Sequence, residues 1–255
     1  MLLTASSLGY TPSTVTLVSI LSRSVGRKRL ANSSFSDALT RFDRVLRTEK
    51  NPDALTLQGL LCLQEGQTAT TALRWFDKAI HAARSLPPSG AYGGPEPGTR
   101  KDPTARKPRW SLERDCYQKH GEIMLQQNRK AEAMASFKIA ALELNHADGY
   151  AELAKLTPQD EPGRSVYLMK AAQGGNFEAC GIVALFFANL AAQPARRRSH
   201  RRVLRSLAYE WASIDPDFKK RDELQAQVAE ITGELTRSIM DRPDAFMRLR
   251  RFFWT

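Results

Sequence analysis

The sequence predicts an all-α fold of antiparallel helix pairs. Three observations predict it. Apolar residues recur at i, i+3, i+4 and i+7 along most of the chain, and runs alternating Val, Ile or Thr with polar residues are missing. Short turns separate the helical stretches, which makes sequential neighbours pack antiparallel. At 255 residues the chain is long enough for one large domain or two small ones. With 42% hydrophobic and 25% charged residues it is not collagen-like, disulfide-framed or wholly disordered. The longest nearly uncharged apolar stretch, Ala179 to Ala192, has the length of a buried core helix and not of a membrane span.

Residues 1–34 form an N-terminal segment with two readings. No acidic residue precedes Asp37, Ser and Thr are frequent, and Arg23, Arg27, Lys28 and Arg29 supply positive charge, the composition of a mitochondrial presequence. Pro12 also fits the start of a first helix over 13–25, with Val15, Leu17, Val18, Ile20, Leu21 and Val25 as its core side. Residues 35–86 carry helices over 35–48 (Ala38, Phe42, Val45), 52–65 (Leu55, Gly59, Cys62) and 68–85 (Ala72, Phe76, Ala79). The segment 87–108 holds six of the 13 prolines and four of the 15 glycines, so it reads as a flexible loop that splits the chain. Residues 109–213 carry helices over 110–127, 130–144, 147–156, 162–174, 176–192 and 197–213. Asp160 and Glu161 stand before Pro162, where acidic charge favours a helix start. Residues 214–255 read as capping helices over 218–240 and 243–253, ending in the basic aromatic tail Phe246 to Trp254.

An internal repeat organises these helices. After Tyr117, residues Gly121, Met124, Asn128, Ala133, Phe137 and Ala140 fall at mutual spacings of 3, 4, 5, 4 and 3. In this stretch the sequence resembles the tetratricopeptide repeat, with Asn145 where that family usually closes on proline. A second copy runs through Leu55, Gly59, Cys62, Gly66, Ala72, Phe76 and Ala79, one residue longer after the turn, as in the Sel1-like sister family. The string Tyr167, Lys170, Ala171, Ala172, Gly175 and Ala179 resembles the Sel1 core, and Ala184 and Phe187 begin a degenerate next unit. Half-units stand at Ala38, Phe42, Val45 and at Leu207, Ala208, Trp211, so the resemblance covers residues 35–212. It implies an α-α superhelix of stacked pairs, since no pair buries its apolar face alone. It implies a scaffold, adaptor or assembly factor that holds a protein partner on a concave face. The first helices would line that face, near Leu55, Gln58, Tyr117, Gln118, Glu122, Ile182 and Leu185. The resemblance brings no catalytic residues and no cofactor.

The formal charge of +11 is uneven: residues 1–50 carry 8 basic and 3 acidic side chains, and residues 196–255 carry 14 and 9, while the middle is near neutral. Arg198, Arg201, Arg202 and Arg205 share one helical face, opposite Val203, Leu204, Leu207, Ala208 and Trp211. Guanidinium groups so placed clamp phosphates or carboxylates, so the alternative function is an RNA-binding or ribosome-associated protein using its basic ends. The C-terminal tail serves either as a cap on the last helices or as a contact for a partner groove or membrane surface. Cys62, Cys116 and Cys180 are isolated, which fits a reducing compartment, mitochondrial or cytoplasmic. The four histidines have no metal-like spacing, and His120, beside Gly121, reads as a packing residue.

Overall fold

The computed structural model describes residues 1–25, 36–86 and 105–233. Among the described residues every regular element is a helix, and helices pack against their sequence neighbours. Two compact units are formed, Met1–Gly149 and Tyr150–Thr255.

The first unit opens with α1 (Leu2–Ser7), which the periodicity did not announce, and α2 (Thr11–Val25). Val15, Leu17 and Val18 of α2 are buried with Ala38, Leu39, Phe42 and Val45 of α3 (Ser36–Thr48) and with Ala54, Leu57 and Leu61 of α4. Residues 11–25 are therefore part of the fold. Of the expected core side of this helix, Ile20 is exposed. Asn51 caps α4 (Pro52–Gln64) by accepting from the Ala54 N–H at 3.0 Å, and Pro52 supplies a first-turn residue that needs no hydrogen-bond partner. Thr68 caps α5 (Ala69–Ala82), which tightens into a 3-10 turn over Ala83–Ser85. The expected helix 110–127 starts later, as α6 (Glu113–Gln126), because Trp110 and Leu112 are used in tertiary contacts. The expected helix 130–144 is α7 (Lys130–Lys138) followed by a π turn over Ile139–Glu143.

The turns between paired helices share one construction. Gly66, Asn128 and Gly175 all have positive φ, at 70°, 60° and 92°. In each case the next N–H reaches back five residues: Gln67 to Cys62, Arg129 to Met124 and Asn176 to Ala171. This left-handed closure satisfies carbonyls left over at a helix end. Asn145, at φ 51°, takes the same region where the repeat family has proline.

The division between units falls within α8 (Ala147–Leu156), and not at the 87–108 loop, whose two flanks lie in the same unit. In the second unit, Pro162 opens α9 (Pro162–Gln173), and Asn176 caps α10 (Phe177–Ala192) through the Ala179 N–H at 2.9 Å. Helix α10 packs against α9, α11 (Arg198–Ala212) and α12 (Phe218–Thr232). The contact is made by Ala184 and Ala188 with Ala208, Ala212 and Val228, small side chains that let the helix axes approach. Helix α12 ends at Thr232, short of the expected residue 240, because Gly233 turns left-handed at φ 69°. The expected helix 243–253 and the tail lie outside the described residues, as does residues 87–104 of the loop.

Candidate interaction surfaces

Two helix pairs of the first unit are built alike. A Cβ at Gly59 would lie 2.6 Å from Cε1 of Phe76, and one at Gly121 would lie 2.6 Å from Cε1 of Phe137. Each aromatic ring fills the space left by a missing side chain on the facing helix. Ala72, Ala79, Ala133 and Ala140 are fully buried beside them, and Tyr117 is buried on α6. Buried Cys116 reaches from α6 toward the Phe76 carbonyl, linking the second pair to the first. Burial pushes its thiol pKa up to about 12, which keeps it protonated among its packing neighbours. In the second unit Ala171, Ala172 and Ala179 are buried, Gly175 is the turn, and Tyr167 stacks near Tyr150 with centroids 6.2 Å apart. Lys170 donates to the Tyr150 hydroxyl at 3.3 Å.

His120 ties three helices together. Its Nδ1 lies 2.8 Å from Ser136 Oγ on α7, and its Nε2 lies 3.2 Å from Asp77 Oδ1 on α5. A neutral ring with its proton on Nε2 donates to Asp77, and its Nδ1 shares the Ser136 hydroxyl proton with the Glu132 carbonyl, 3.1 Å from that hydroxyl. Burial lowers the His120 pKa, and the Asp77 carboxylate offsets only part of that.

The first helices present only some of the residues expected of them. Leu55, Gln58, Tyr117 and Gln118 are buried, whereas Ile182 and Leu185 are half-exposed, as is Glu122, which pairs with Lys119 at 2.7 Å. Gln118 donates to Glu122 at 3.0 Å and leaves its own Oε1 buried without a partner. These side chains point toward neighbouring helices because the pairs stack through them. Half-exposed at equivalent repeat positions are Leu60 and Leu63 on α4 and Glu122 and Leu125 on α6.

The N-terminal ends of the same helices are covered by the chain itself. Residues 105–112 form a strap, so the last part of the expected flexible loop is firmly held. Trp110 donates from Nε1 to buried Thr56 at 3.2 Å and packs its ring 6.2 Å from Tyr117. The Leu112 N–H donates to Asp53 at 2.9 Å, and burial raises the Asp53 pKa against that bond. Arg106 clamps the fully buried Glu113 with two bonds, at 2.8 and 2.9 Å, and reaches Glu143 at 2.8 Å. The Glu113 carboxylate also accepts the Arg109 N–H. A buried carboxylate persists only with this kind of pairing. Trp110 and Glu113 in a basic, proline-bounded stretch were the available signal for the strap.

The four arginines of α11 separate into two pairs. Arg198 and Arg202 are exposed, whereas Arg201 and Arg205 are half-buried and continue the stripe of Ala208 and Ala212. Spacings of 4, 3 and 4 residues keep Arg201, Arg205, Ala208 and Ala212 on the side that packs on α10. Val203, expected on the apolar side, is 58% exposed.

Among the described residues no group of three or more His, Cys, Asp or Glu could hold a metal, and no helix is long and apolar enough to cross a membrane. Neither a family model nor a curated protein matches the chain.

Proposed function

We propose that the chain is a helical-repeat scaffold of the tetratricopeptide or Sel1-like kind, which holds a protein segment against the first helices of its pairs. What supports this is the recurrence of one wedge, Gly59 with Phe76 and Gly121 with Phe137, at the same 2.6 Å clearance. A chain that repeats a packing device gains a regular surface, and repeat units that stack this way display extended binding faces. The half-exposed Leu60, Leu63, Glu122 and Leu125 are the side chains of that face left to a partner. Apolar residues beside a carboxylate suit a segment with apolar anchors and a basic residue.

Affinity capture with the full chain tests this, in nuclease-treated extract, against a Leu63→Glu, Leu125→Glu variant of unchanged melting temperature. Partners held by the wild type and lost by the variant support the scaffold. An identical set of captured proteins for both chains, or loss of every partner on nuclease treatment, overturns it. A role as a mitochondrial assembly factor belongs to the same proposal, and organelle fractionation of the full chain tests it.

A further inference from the structure

Helix α11 begins in an unusual electrostatic setting. Arg196, Arg197, Arg198 and Arg202 are exposed around its start, with exposed His200 among them and Arg201 half-buried below. No described carboxylate pairs with Arg197, Arg198, Arg201 or Arg202, and the one partner in the row is Gln193, which accepts from Arg196 at 3.1 Å. The helix has no capping side chain and no acidic residue in its first turn. Positive charge thus accumulates where the helix dipole is already positive, which works against folding of this helix. Uncompensated positive charge at a helix start attracts an anionic ligand, whose charge offsets both the arginine repulsion and the helix dipole.

We infer that this surface of α11 binds the phosphodiester backbone of a nucleic-acid strand, independently of base sequence. Guanidinium forks match phosphate geometry, and Arg198 and Arg202, one turn apart, lie about 6 Å apart along the axis. That step suits neighbouring phosphates on one strand. The exposed side of α11 carries no aromatic residue on which a base could stack, so the backbone alone is read. A lipid surface fits less well, because Val203 is the one large apolar side chain of α11 that is exposed, and its apolar stripe is spent on α10. An acidic protein fits less well for the same reason, since protein interfaces centre on apolar anchors.

The test is fluorescence anisotropy of a labelled 20-nucleotide oligouridylate and an oligothymidylate with the full chain. Four phosphate contacts give a salt slope of about −2.8 for a single strand, a loss of about 50-fold between 50 and 200 mM salt. Both oligonucleotides bind alike. The Arg198→Glu, Arg202→Glu variant binds at least tenfold more weakly at low salt, with the slope reduced to about −1.4, while its melting temperature holds or rises. Lys219→Glu, Lys220→Glu removes the same charge from the exposed start of α12 and leaves binding within about twofold. Three results overturn the inference: no binding by the wild type, equal weakening by both variants (which reports net charge alone), or tighter binding to phosphatidylserine vesicles or polyglutamate than to the oligonucleotides.

Discussion

Gly59 and Gly121 are where single side chains decide the packing. An added methyl at either would meet an aromatic ring at 2.6 Å, and rings in a filled core have little room to retreat. Overpacking of this kind costs about 1–3 kcal/mol, offset by up to about 1 kcal/mol of helix propensity gained over glycine. Gly59→Ala and Gly121→Ala should each lower the urea midpoint, and Phe76→Leu should recover part of the loss in the Gly59→Ala background. A double-mutant cycle reads the coupling directly. Asn128 sits at φ 60°, a region that burdens other L-residues by about 1–2 kcal/mol. Asn128→Ala should therefore destabilise by about 1 kcal/mol while Asn128→Gly should not. His120 gives a pH signature. Its folded pKa is lowered, so the unfolded chain takes up a proton first as pH falls through about 6.5. The contribution of His120 is complete above that pH and is lost as pH falls toward the folded pKa. Urea midpoints between pH 7.5 and 5.5 should show this decline, and His120→Gln should flatten it.

At the scale of elements, the strap 105–112 is the feature with the largest expected effect. Glu113 is fully buried and Arg106 keeps 25% of its side-chain surface in water. Removing one member of a buried pair costs about 3–5 kcal/mol, and the partial exposure of Arg106 places Arg106→Met at the lower end of that range. Hydrogen exchange should then show faster loss of protection at the start of α6 and over residues 105–112 than in α5. An unchanged exchange map would mean the strap is not held by this pair. The helices themselves were largely legible: caps at Asn51, Thr68 and Asn176 and turns at Gly66, Asn128 and Gly175 are local signals. The start of α6 was not, because Trp110 is claimed by Thr56, 54 residues away.

At the scale of the whole chain, large side chains are buried in both units, Tyr150 and Leu153 among them in the second, but the last three described helices pack on small ones. The first unit buries Phe42, Phe76, Phe137, Leu61 and Leu144 completely. The core cluster of the second that joins α10, α11 and α12 is made of four alanines and one valine, with half-buried residues around it. Burial of a large apolar side chain contributes about 1.5–3 kcal/mol, far more than alanine. Hydrogen exchange should accordingly find α11 and α12 opening before α4 to α7. Deleting residues 1–25 removes Val15, Leu17 and Val18 from the core of the first unit, and should lower its melting temperature markedly.

By itself the sequence determined the all-helical class, the pairing of helices and the spacing of the repeat positions that include Gly59, Phe76, Gly121 and Phe137. Those follow from a 3.6-residue period, turn residues and fixed small-to-aromatic spacings, all written within about 40 residues of chain. Only the tertiary structure decided which side chains remain free. Gln58 and Gln118 belong to the first helices by spacing, yet both are buried. Arg201 and Arg205 belong with Arg198 by helical period, yet they join the alanine stripe against α10. Arg106 stands in a proline-rich basic loop, yet it neutralises a buried carboxylate. The physical reason is the same in each case: periodicity fixes where a side chain points on its own helix, whereas burial and charge pairing depend on what distant parts of the chain place against it.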